Sequence, residues 1–139
     1  MTRLWHFTSE VHLPVITEAG YLRPTESNLD MQVAHAGPDC VWFMDGPELS
    51  EGKDGLLGSA VDKTAVRIEV EVPDARVRAW YPWALAQGIH PAWLSRMLAV
   101  AGGKEAAERW QVVFRKVPRE QWIKVEVRQP DGTWKEVQE

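Results

Sequence analysis

The chain reads as an α+β domain with mostly antiparallel sheets and short helices between the strands. Three observations predict this. Residues Thr64 to Val72 alternate apolar and charged, the period of a strand with one buried face. The pieces around Pro14, Pro82 and Pro91 have helical spacing and are closed by Gly20, Gly88 and Gly102-Gly103, following the preference for proline at helix starts and glycine at helix ends. Asp131-Gly132 is a strong two-residue hairpin signal near the end of the chain.

Taken in order, Leu4 to Phe7 suit a strand, being largely aromatic or apolar. Alternation sets His6 and Thr8 on one face and Trp5 and Phe7 on the other. Ser9 is a candidate N-cap for a helix that buries Leu13 and Ile16, with Val15 at the margin of the stripe, and that stops at Gly20. Tyr21 and Leu22 resume an extended path, closed by Arg23-Pro24. Thr25 to Asp39, which includes His35, is polar and aperiodic and reads as a long loop. Cys40 to Met44 is an apolar run of strand length ended by Asp45-Gly46-Pro47. Pro47 to Gly58 reads as an exposed connection.

Thr64 to Val72 follows, with Val66, Ile68, Val70 and Val72 inward and Arg67, Glu69 and Glu71 on a solvated face. Arg76 to Trp80 reads as a short strand, Pro82 to Ala86 and Pro91 to Val100 as helices, and Lys104 to Arg109 as a helical turn. Trp110 to Val117 reads as one buried strand, Trp122 to Gln129 as another, and Thr133 to Val137 as an edge strand after the hairpin. That makes about six main strands in a single domain over residues 1–139, a length suited to one core.

Composition limits function. Hydrophobic residues are 45% of the chain, enough for a packed core. No apolar run approaches the roughly 20 residues of a membrane span, and no leader pattern is visible, so a cytoplasmic protein with no membrane role is expected. Cys40 is the only cysteine, which excludes a disulfide framework and a cysteine-rich zinc site. No metal is expected. The formal net charge of −4 argues against broad electrostatic binding of nucleic acid. Walker, dinucleotide-fingerprint, nucleophile-elbow and zinc-helix motifs are all missing.

The stretch from Leu4 to Leu22 carries most of the functional information. It brings a histidine, a hydroxyl and an aromatic ring together within a short span, a grouping that can hold a planar polar ligand. His6-Phe7-Thr8 followed by His12-Leu13-Pro14-Val15-Ile16-Thr17-Glu18-Ala19-Gly20 resembles the start of the ADP-ribosyltransferase fold. The likeness is to small bacterial and phage members related to the DNA-targeting ADP-ribosyltransferase toxins. These open with His-x-Thr and a helix of the type Asn-Leu-x-x-Ile-x-x-x-Gly. His12 stands where the family has asparagine. Gln111 to Phe114, Val117-Pro118 and Trp122-Ile123 are similar to the family's late catalytic strand, proline turn and closing strand.

The resemblance implies a split pair of mostly antiparallel sheets, roughly orthogonal, with NAD as substrate in the cleft between them. His6 would bond the ribose or amide side of NAD. The backbone at Phe7 and the hydroxyl of Thr8 would hold the carboxamide. Tyr21 would stack on nicotinamide, and Arg23 would contact a phosphate. Apart from the resemblance, Trp42 is a candidate to line the cleft, though with Phe43 it reads first as core. The family's late-strand glutamate falls at Gln111, with Glu108 as the replacement if the strand begins earlier. The implied reaction transfers ADP-ribose to a macromolecular acceptor, protein or nucleic acid, by a monomer or weak dimer. A glutamine lacks the charge for that chemistry. The alternative is therefore an inactive nucleotide- or protein-binding module, such as a phage or mobile-element inhibitor of a host factor.

Overall fold

A computed structural model describes residues 1–24, 39–49 and 61–137. All but the last residue of the loop expected over Thr25 to Asp39, and most of the connection after Pro47, lie outside the described residues.

The elements run β1 (Thr2–Thr8), α1 (Leu13–Ala19), β2 (Tyr21–Leu22), β3 (Val41–Met44), β4 (Val66–Val72), β5 (Arg78–Ala79), α2 (Trp80–Ala86), α3 (Pro91–Ala101), α4 (Lys104–Ala107), β6 (Trp110–Val113), β7 (Val117–Pro118), β8 (Trp122–Arg128) and β9 (Trp134–Glu136). Seven strands form one sheet in the order β5-β6-β3-β1-β4-β8-β9, and β2 pairs with β7 in a separate ribbon. The pairings among these nine strands are all antiparallel. The α+β class expected from the sequence is therefore the one observed. The observed division is a seven-stranded sheet and a two-stranded ribbon.

β4 is the spine of the sheet. Val66, Ile68, Val70 and Val72 are all 1% exposed or less. They join Leu4, Val41, Phe43, Val113 and Val125 in a core on one face. Leu13 and Ile16 of α1, Leu22 of β2 and Val117 of β7 pack onto it. The other face carries Phe7, Met44, Trp110 and Val112, covered by Trp80, Ala84, Trp93, Met97, Ala101 and Ala107 from the helices. The buried tryptophans interlock, with ring centroids 5.2 Å apart for Trp42–Trp110 and Trp80–Trp110.

Three expectations are corrected. The run Trp110 to Val117 is not one strand. The chain leaves the sheet after Val113, and Val117 returns in the ribbon opposite Leu22. Apolar composition alone could not show that Val113 and Val117 face the same core from different sheets. Second, Arg67 and Glu69 are not solvated. The Arg67 guanidinium lies 4.1 Å over the Trp134 ring, pairs with Glu126 at 2.9 Å and donates to the Pro47 carbonyl. The hairpin return of β9 and the segment after β3 cover this part of the sheet. Third, Val15 is 66% exposed, because α1 lays only Leu13 and Ile16 against the sheet.

Ser9 acts one turn earlier than a formal N-cap. Its hydroxyl accepts the His12 N–H and its carbonyl accepts the Leu13 N–H. Gly20 ends α1 in the left-handed region with φ 80°.

Candidate functional site

Strand pairing decides which of the candidate residues meet. Paired residues in an antiparallel ladder share a face. Phe43 pairs with Gln111. Continuing the single β1–β3 bridge, Trp5 to Met44, sets His6 opposite Phe43. The His6 and Phe43 rings meet edge to face, centroids 5.7 Å apart. His6, Phe43 and Gln111 therefore form a row across β1, β3 and β6 on one face. His6 and Gln111 are separated by two strand spacings, roughly 10 Å.

The register also explains how His6 is held. β1 pairs with β4 along its whole length, but with β3 at one position only. Beyond that bridge the His6 side chain supplies the link instead, with Nδ1 2.8 Å from the Trp42 carbonyl. A carbonyl only accepts, so Nδ1 carries the hydrogen. In the neutral ring Nε2 is then an acceptor, and it has no hydrogen-bond partner among the described residues. Burial pushes the His6 pKa below the usual histidine value. The Trp42 hydrogen bond opposes that shift and the nearby Lys63 cation adds to it.

Thr8 is buried on the same face as His6, at the end of β1, and pairs with Val66. Phe7 and Trp42 do not reach this face. The pleat points both side chains to the helical side, where Phe7 meets Trp134 and Trp42 packs against Trp80 and Trp110. The cleft-lining role expected of Trp42 is thus corrected; only its carbonyl touches the site.

Glu108 is also displaced from its expected place. β6 begins at Trp110, and Glu108 ends α4, exposed and 3.8 Å from Lys104. Its helical geometry removes it from the strand register that puts Gln111 in the row.

Tyr21 sits half-buried on the ribbon, with the Lys116 ammonium 4.8 Å from its ring centroid. No ring contact joins it to His6 among the described residues. Arg23 follows β2 and is exposed. Two surface recesses, about 200 and 440 Å³, lie along β8 and β9 and are lined by other residues, among them Trp122, Gln129 and Val137. No group of three or more potential metal ligands occurs among the described residues, and no described helix is long and apolar enough to cross a membrane.

Sequence reasoning missed Phe43 as the bridge of the row, Lys63 as a cation near His6 and Lys116 as the occupant of the Tyr21 ring. Each depends on pairing between distant segments and leaves no local signal. No protein-family model, curated protein or solved structure matches the chain.

Proposed function

We propose that the chain is an ADP-ribosyltransferase-like domain that binds NAD on the His6 face of the sheet and serves transfer of ADP-ribose to a macromolecular acceptor. The observation that carries this reading is the row His6–Phe43–Gln111. It sets the early-strand histidine and the late-strand residue on one face, on strands that both flank β3. A neutral His6 whose Nε2 acceptor has no hydrogen-bond partner among the described residues suits a ribose hydroxyl. Thr8 and the Phe7 backbone serve the carboxamide, Tyr21 the nicotinamide ring and Arg23 a phosphate.

Isothermal titration with NAD tests it. The wild-type protein is expected to bind and His6→Ala to lose binding; equal binding by the variant removes His6 from the site.

A second reading follows from Gln111 itself. Its amide carries no charge to stabilise an oxocarbenium-like transition state, which favours a catalytically silent NAD binder. Binding without nicotinamide release at high protein concentration supports the silent module. Release that stops in Gln111→Ala supports the enzyme.

A further inference from the structure

We propose, resting on the NAD reading of this face, that Lys63 binds the phosphate adjoining the ribose at His6, which makes the ligand a phosphorylated riboside. Strand register brings the residue there. Thr8 pairs with Val66, so the end of β1 lies beside the start of β4, and the turn Asp62 to Thr64 leads into that end. The turn is fixed by its own hydrogen bonds. Asp62 Oδ1 accepts the Thr64 N–H at 2.9 Å and the Thr64 hydroxyl at 2.5 Å, and Oδ2 accepts Arg128 of β8 at 2.8 Å. Arg128 also donates to the Thr64 hydroxyl at 3.0 Å. The carboxylate next to Lys63 in the chain is thereby committed to Thr64 and Arg128. Lys63 is half-buried between them. Burial is the main cause that lowers the His6 pKa, and the Lys63 cation adds to it, which sets the ammonium near the ring.

The groups around that ammonium point to a ligand. Thr8 is 6% exposed on the His6 face, and its hydroxyl, like His6 Nε2, makes no hydrogen bond with a described residue. Buried polar groups without partners cost stability unless a ligand or water meets them. A hydroxyl and a neutral ring nitrogen suit neutral sugar and amide groups, whereas a cation beside them favours an anion. In a nucleotide the phosphate is joined to the ribose through one methylene, so with the ribose at His6 it is the anion within reach. The same ammonium disfavours the imidazolium form and keeps Nε2 an acceptor for the ribose hydroxyl. One side chain thus serves both contacts. Arg23, exposed beyond β2, is left for the second phosphate of a dinucleotide.

Isothermal titration at mildly alkaline pH with nicotinamide riboside and nicotinamide mononucleotide tests the assignment, since the two differ by that phosphate alone. The wild type is expected to bind the mononucleotide about tenfold more tightly, with the advantage shrinking as salt rises. Lys63→Gln should remove the advantage and leave riboside binding unchanged, while Lys63→Arg should keep it. A second readout needs no ligand. The titration of the His6 ring protons, followed by nuclear magnetic resonance, should move to higher pH in Lys63→Gln. Equal wild-type affinity for the two probes, an advantage that survives Lys63→Gln, or an unmoved His6 titration overturns the assignment and leaves the NAD reading standing. Binding of neither probe also overturns it, and failure to bind NAD as well overturns the NAD reading with it.

Discussion

His6 shows how one residue type at one position supports two readings until its neighbours are known. A buried histidine bonded to a backbone carbonyl is ordinary core architecture, and the Nδ1 contact with Trp42 has that form. What distinguishes it is the position in a row with Gln111 and an Nε2 that has no partner among the described residues. Its titration is a check on the site. The folded-state pKa lies below the unfolded value of about 6.5, so between those two values the unfolded chain binds more protons. Stability therefore rises with pH across that window and is level above it. Urea midpoints measured through the acid range should fall more for the wild type than for His6→Gln; parallel curves remove His6 as the cause. NAD binding should hold across that window, where folded His6 stays neutral, and weaken only below the folded-state pKa, since protonation turns the Nε2 acceptor into a donor. Gln111 is the other informative residue. If the row is an NAD site that lacks only charge, Gln111→Glu should gain nicotinamide release over the wild type, read by product assay. No gain despite intact NAD binding assigns the missing catalytic determinant elsewhere.

At the scale of the element, the sequence was most legible where local chemistry settles the outcome. Gly20, Pro14 and the alternation in β4 need no distant partner, and the helix end and the strand lie where the pattern set them. Gly20 holds φ 80° with nothing within 4 Å of an added Cβ. Gly20→Ala should therefore cost about 1 kcal/mol by backbone strain alone, measured by denaturation, and Gly20→Asn less. Expectations failed where a distant segment decides. Arg67 and Glu69 have the spacing of a wet face, yet Trp134, Pro47 and Glu126 arrive from elsewhere to engage Arg67, and Glu69 is buried with Arg3 beside it. The tryptophan layer offers a second test. Trp93 is 1% exposed and its indole N–H has no partner among the described residues, a burden of about 1–3 kcal/mol for an orphaned buried donor. Trp93→Phe relieves that burden while losing part of the ring. It should be milder than Trp80→Phe or Trp110→Phe in a matched denaturation series; the reverse order places an unseen acceptor beside Trp93.

For the whole molecule, the sheet order could not be read from the sequence, because β1 lies between β3 and β4 and β6 reaches β3 across a long chain separation. No local period encodes those pairings, and they are what assemble the His6 row. The same order makes one continuous sheet the shared wall of two cores that differ in composition. The helical side holds Trp80, Trp93 and Trp110, while the opposite core is dominated by valine, leucine and isoleucine. Intrinsic fluorescence thus reports mainly the helical layer, whereas far-ultraviolet circular dichroism reports the sheet and helices together. Because strands β1, β3 and β6 contribute side chains to both cores in alternation, neither core can loosen without exposing the other's wall. The two probes should give coincident urea transitions, the mark of all-or-none unfolding. A fluorescence transition at lower urea than the dichroism transition would show α2, α3 and α4 detaching as a unit, and the sheet would then stand on its valine-rich face alone.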